Sequence, residues 1–203
     1  MGKIYVVIGK SASGKDTIFK YLQEEESLQL KTVVGYTTRP IRSGEKEGTE
    51  YHFVTTDQFE QMKEDGKIIE YRTYHTIHGP WIYFTANDGQ IQLEEADYLF
   101  INTLEAYNQI RKYYGEEQVV PIYIEVEDGE RLMRALTRER KQTDPKYAEL
   151  CRRFLADQED FSKEKLQESG IKDKFYNNKK EECIKKIIDY IKKDQNCKKI
   201  YSI

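Results

Sequence analysis

The segment "IYVVIGKSASGKDTIFKYL" (residues 4–22) joins an apolar run to a glycine loop and then to an amphipathic pattern. Ile4 to Ile8 suits a buried strand, and Ile18, Phe19 and Leu22 recur at the spacing of one helical face, so the unit reads strand, loop, helix. Within it, Gly9, Gly14 and Lys15 fit G-x-x-x-x-G-K. Backbone N–H groups wrap an anion only where the chain turns tightly, which glycine permits. The helix starting near Lys15 adds its positive end, and the lysine ammonium reaches the outer phosphates. Asp16 stands where a magnesium-binding Ser or Thr is expected. A carboxylate beside phosphate oxygens is repelled unless a cation lies between them, which points to Mg2+ held by Asp16 directly or through water. Thr17 is the alternative hydroxyl ligand, and the plain alternative is that Asp16 only favours the helix N-terminus electrostatically.

Around this unit the composition sets bounds. The chain has 203 residues, 38% of them hydrophobic, enough for one substantial α/β core with room for small inserts. A net charge of −3, with 34% charged residues, gives no overall pull towards nucleic acid or an anionic membrane. No segment approaches the roughly 18 consecutive apolar residues of a membrane span, and "IYVVIG" is too short for a signal peptide, so the expectation is a cytoplasmic protein. Cys151, Cys183 and Cys197 lack metal-like spacing and read as reduced thiols.

Along the chain, "KTVVGY", "EYHFVT", "KIIEYRTY" and "WIYFT" read as short strands clustered between about residues 32 and 86, a small β-rich insert. "YLFIN" and "VVPIYIEV" are buried-strand candidates, each followed by a helical pattern, an alternation that indicates a parallel sheet with crossover helices. The charged stretch from about 137 to 170 is predicted helical and partly exposed, a candidate lid. Ile184, Ile187, Ile188 and Ile191 lie at helical spacing in the last helix, and the tail from Asp194 is expected to be loosely ordered.

The segment "VGYTTRPIRSGEKEGTEYHFVTTDQF" (residues 34–59) places Arg39 and Arg42 around Pro40, with Tyr51 nearby. Two guanidinium forks and a phenol suit a second phosphate. With the loop, this segment resembles the guanylate kinase family, and the resemblance runs from the loop to the last helix. It implies an α/β, P-loop NMP-kinase-like core with a central parallel sheet flanked by helices, a small β-rich acceptor-binding insert and a helical lid. As one domain over 1–203, the core covers about 1–34, 97–136 and 171–194, the insert about 35–90 and the lid about 137–160.

The resemblance also implies an activity, namely transfer of the γ-phosphoryl group of ATP, with Mg2+, to a nucleoside monophosphate, GMP or dGMP. Gly9, Ser11, Ala12, Ser13, Gly14, Lys15, Asp16 and Thr17 are the corresponding ATP-binding positions, with Asn177 of "FYNN" near the donor base. Arg39, Arg42 and Tyr51 would hold the acceptor phosphate, Glu45 being the acid of the same motif. Glu70 of "KIIEY" falls on the glutamate that reads guanine, whose N1 and N2 hydrogens a carboxylate accepts; the plain alternative is a surface glutamate paired with Arg72 on the same strand face. Lys15, Arg39 and the lid arginines Arg138, Arg140 and Arg153, with Arg152 beside them, would offset charge on the transferring group.

Several positions depart from the family pattern. Gly35 replaces a small hydroxyl residue, and His78 and Pro80 replace the usual tyrosine and hydroxyl. Asn102, Thr103 and Glu105 stand where paired aspartates are usual. Asp16 would take over the magnesium-anchoring task which that strand has lost, and His78 and Thr103 join the acceptor-binding set. Two other readings stay open: a kinase of another nucleotide or a phosphorylated sugar, and an inactive module that binds protein partners. Neither a nucleic acid nor a membrane partner is expected.

Overall fold

The computed structural model describes residues 1–76 and 79–200. Its core is a five-stranded parallel sheet of β1 (Ile4–Ile8), β2 (Leu30–Thr32), β7 (Asp97–Ile101), β8 (Val119–Glu125) and β9 (Phe175–Tyr176), in the order β2-β7-β1-β8-β9. β1 is central and buried at every residue, as its unbroken apolar run requires for a strand covered on both faces. Alternation then divides it: Ile4, Val6 and Ile8 face one core, Tyr5 and Val7 the other. Against the first face lie α3 (Leu104–Tyr114) and α6 (Lys163–Glu168), through Tyr107, Ile110 and Leu166. Against the second lie α1 (Lys15–Glu24) and α7 (Lys180–Ile200), through Ile18, Leu22, Ile187 and Ile191. The chain leaves β1 towards β2 on one side and later β8 towards β9 on the other, so the loop after β1 opens at the switch point, where open parallel sheets hold their ligands.

A second, four-stranded sheet, ordered β4-β3-β6-β5, sits over the carboxyl end of the first. It consists of β3 (Tyr36–Thr37), β4 (His52–Phe53) and the hairpin of β5 (Ile68–Thr76) with β6 (Gly79–Ala86). Its small core is Phe59, Ile82, Phe84 and Ala86, Phe59 coming from α2 (Thr56–Glu64), which starts in a reciprocal Thr55–Gln58 capping box. Residues 70, 72 and 74 share the opposite strand face with Thr85, Tyr83 and Trp81, their cross-strand partners. That face looks towards the loop.

Two expectations are corrected, and one segment resolves into parts. "KTVVGY" is not one strand: β2 belongs to the parallel sheet and β3 to the small one. Val33 still donates to Leu99 O, but the Val34 N–H turns to the Gln90 side chain, and buried Gly35 carries the chain across. The charged stretch is helical in pieces, from the end of α4 (Asp128–Glu139) through α5 (Tyr147–Asp160) to α6, and a turn through Asp144–Pro145 divides the first two, since proline disfavours helical backbone in the residue before it. The tail from Asp194 continues α7, since Asp194 accepts from Lys3 Nζ at 2.6 Å and Tyr5 Oη at 2.7 Å, while Gln195 donates to Leu28 O and Asp97. His78 lies outside the described residues.

Candidate functional site

The glycine loop is held open from behind. Ala12 and Gly14 adopt positive φ, 62° and 86°, so successive N–H groups converge. Glycine is required at 14 and at 9. A Cβ at Gly14 would overlap the Asn177 side-chain amide, and one at Gly9 would come within 2.7 Å of Ile124 O. Asn177 is buried, and its Nδ2 donates to Ser13 O at 2.8 Å while its own N–H donates to Glu125 O. This expected base contact therefore braces the loop.

Helix α1 begins at Lys15 without a side-chain cap, leaving its first amides free for an anion. Lys15 Nζ lies 3.3 Å from Asp16 Oδ2, and the Asp16 side chain is 76% exposed, as a group awaiting a solvated cation would be. Thr17 is exposed beside it. One carboxylate and one hydroxyl are hard oxygen donors, the set that Mg2+ takes when phosphate and water complete its shell. The residues present therefore fit that ion.

Two cavities meet at Lys15. One, of about 440 Å³, lies between the loop and the small sheet, walled by Tyr51, Arg72, Tyr74, Trp81 and Tyr83. The other, of about 540 Å³, lies under α5, with Arg152, Arg153 and Asp157 on its wall. Lys15, Tyr74, Asn102 and Thr103 line both.

The arginines sort by partner. Arg39 is buried, its guanidinium forked onto Glu45 by two 2.9 Å bonds, with further bonds to Pro40 O and Tyr83 Oη. Hydrogen bonding from Arg39 holds Glu45 below the usual carboxylate range. Arg42 is exposed, and its backbone N–H is fixed by Glu45 at 2.8 Å. Tyr51 packs edge-on to Tyr83 at 5.5 Å, and burial pushes its hydroxyl pKa up. Both Arg152 and Arg153 pair with Glu149, Arg152 by two hydrogen bonds and Arg153 through Nε at 3.6 Å, and both line the second cavity; Arg153 Nε has no hydrogen-bond partner among the described residues. Arg138 and Arg140 are exposed and line neither cavity.

Glu70 is not a surface glutamate. Its side chain has no exposure; Thr85 Oγ1 donates to Oε1 at 2.7 Å, and Arg72 donates through Nε to Oε2 at 3.2 Å. Burial raises its pKa, against the lowering effect of the Arg72 charge and the Thr85, Arg72 and Asn102 hydrogen bonds. Arg72 Nη1 also donates to Thr103 Oγ1 at 2.7 Å, and Thr103 caps α3. Arg72 thus stands between Glu70 and the cavity. Its position was legible only as a same-face neighbour of Glu70.

A polar network beside the loop was not anticipated. Arg131, 1% exposed, donates to Asp128 at 3.0 Å, to Asp157 at 2.9 Å and to Ser11 O. Asp157 also accepts the Ser11 N–H at 2.9 Å, while Lys10 donates to Gln158 and Gln158 to Asp128. α4 and α5 are thereby tied to the loop. The i, i+3 pair Asp128–Arg131 was the one signal in the sequence.

A family model described as guanylate kinase matches residues 1–194. The guanylate kinase of Chromobacterium violaceum is 33% identical over 141 residues, which cover 67% of this chain and 62% of the relative. That of Dechloromonas aromatica is 32% identical over 140 residues, 67% of this chain and 65% of the relative. The matched stretch thus spans less than two thirds of either relative. The crystal structure of guanylate kinase from Anaplasma phagocytophilum superposes with a TM-score of 0.67 at 21% identity, covering 96% of this chain and 86% of that one, a likeness of fold.

Proposed function

The chain belongs to the guanylate kinase family, and from that premise we propose that it transfers the γ-phosphoryl group of ATP to a nucleoside monophosphate, GMP or dGMP in the first instance. The carrying observation is Lys15 at the junction of two cavities, one reached from the phosphate loop and lid, the other walled by aromatic side chains and Arg72. Phosphoryl transfer asks the protein mainly to hold two anions in line and to balance charge. Loop amides and Lys15 hold the donor phosphates, and Asp16 and Thr17 are the residues that would hold Mg2+, which neutralises phosphate charge when bound. On the acceptor side, Arg42 and Tyr51 face the monophosphate, with Arg39 pre-oriented by Glu45. Arg153, on the wall of the cavity that reaches Lys15 and held only by a 3.6 Å ion pair to Glu149 among the described residues, is the lid arginine assigned to the transferring group in this reading. In this reading Arg138 and Arg140 reach the site only if the lid closes further, and Asn177 acts by bracing the loop.

The test is a coupled assay of ADP release over a panel of nucleoside monophosphates. Release should depend on the acceptor, and Lys15→Ala should lower turnover by at least about a hundredfold, the scale of losing one preorganised charge donor. ADP release indifferent to every acceptor, or unaffected by Lys15→Ala, overturns the proposal.

A further inference from the structure

We propose that Arg72, rather than Glu70, reads the acceptor base, and that it does so through the O6/N7 edge of a 6-oxopurine, leaving the 2-amino group unread. This rests on the reading above that the aromatic cavity takes a nucleoside monophosphate. Glu70 lies behind Arg72 with no exposed side-chain surface, and its two oxygens are engaged by Thr85 and Arg72. Asn102 turns its amide to the same carboxylate, and its Oδ1 accepts the Thr103 N–H. The cavity floor therefore presents a guanidinium.

That guanidinium has five N–H groups in a fixed fork. Three point to Glu70 and Thr103, which among the described residues leaves one on each terminal nitrogen for a ligand. A pure donor fork repels the N1–H and N2–H edge of guanine and the N6 amine of adenine, whereas O6 and N7 of a 6-oxopurine accept both free hydrogens side by side. Uracil and thymine offer a single carbonyl at O4 and no adjacent ring acceptor. The aromatic walls, Tyr51, Tyr74, Trp81 and Tyr83, suit a flat ring.

The experiment compares GMP, IMP, AMP and 7-deaza-GMP as acceptors for kcat/KM. Binding of each is followed in parallel by quenching of Trp81, the sole tryptophan and part of the cavity wall. GMP and IMP should agree within about tenfold, 7-deaza-GMP should fall by about tenfold or more, and AMP should fall furthest, since a site with fixed polar groups rejects a mismatched partner strongly. Arg72→Lys, which keeps a positive partner for Glu70 but not the fork, should erase the difference between GMP and 7-deaza-GMP. A more than hundredfold preference for GMP over IMP, with 7-deaza-GMP equal to GMP, overturns the inference while leaving the kinase reading intact. Should no monophosphate support ADP release, the kinase reading fails, and the same ratios from Trp81 quenching still decide the role of Arg72.

Discussion

At the scale of single residues, Lys15 and Asp16 separate chemistry from stability. Asp16 is mostly exposed and its contact within the chain is with Lys15, so Asp16→Ala and Asp16→Ser should change unfolding free energy by no more than about 0.5 kcal/mol. If Asp16 anchors the cation, Asp16→Ala should raise the Mg2+ concentration for half-maximal turnover about tenfold or more, with Asp16→Ser between it and the native protein. Equal magnesium dependence in all three would end that role. Gly14 behaves oppositely: Gly14→Ala must strain a φ of 86° and displace Asn177, so it should cost about 1–3 kcal/mol in urea unfolding and weaken ATP binding together. The loop was legible because glycine at two fixed positions has a backbone reason. Glu70 and Arg72 were legible as a pair, but which of them faces the ligand depends on burial across two sheets, which local spacing does not encode.

Elements show the same division. β1 and α1 could be read because their apolar periods differ, two or continuous for the strand and 3.6 for the helix. The split of "KTVVGY" between two sheets could not, since its partners, Leu99 and Gln90, are more than fifty residues away. The helices α4 and α5 were legible as helices but not as a latch. Breaking that latch should be expensive: Arg131→Met leaves Asp157 beside the loop without its cation, at about 3–5 kcal/mol in urea unfolding. The latch should also weaken in acid. Burial opposes ionisation of Asp128, yet bonds from Gln158 and Arg131 and the charge of Lys10 hold its pKa below the usual value. A depressed folded pKa gives stability that is present above the unfolded value, about 3.9, and lost as pH falls through the lower folded one. The Ser11 amide, bonded to Asp157, should therefore exchange with solvent faster once pH drops below about 4, after correction for intrinsic rates. Protection unchanged between pH 6 and 3 would contradict this.

Across the whole molecule, the parallel sheet and the small sheet have separate hydrophobic clusters, and the cavity between them is walled mainly by polar and aromatic side chains from both. Ligand binding should therefore act as a bridge between two cores. A molecule that carries an adenosine and a guanosine joined through a phosphate chain would contact loop, lid and small sheet at once. At a hundred times its Kd it should stabilise the fold by about 2.7 kcal/mol. For a chain of this size that corresponds to a rise in Tm of about 5–11 °C. Lys15 lines both cavities and, among the described residues, has only the exposed Asp16 as ionic partner, so Lys15→Ala should leave the unliganded Tm within about 2 °C of the native protein. At the same ligand concentration, however, most of the rise should vanish if the ammonium, which lines both cavities, is the charge shared by both phosphates. A Tm rise that survives Lys15→Ala would mean that the two anions do not meet at this lysine, and with it the in-line arrangement of donor and acceptor would fall.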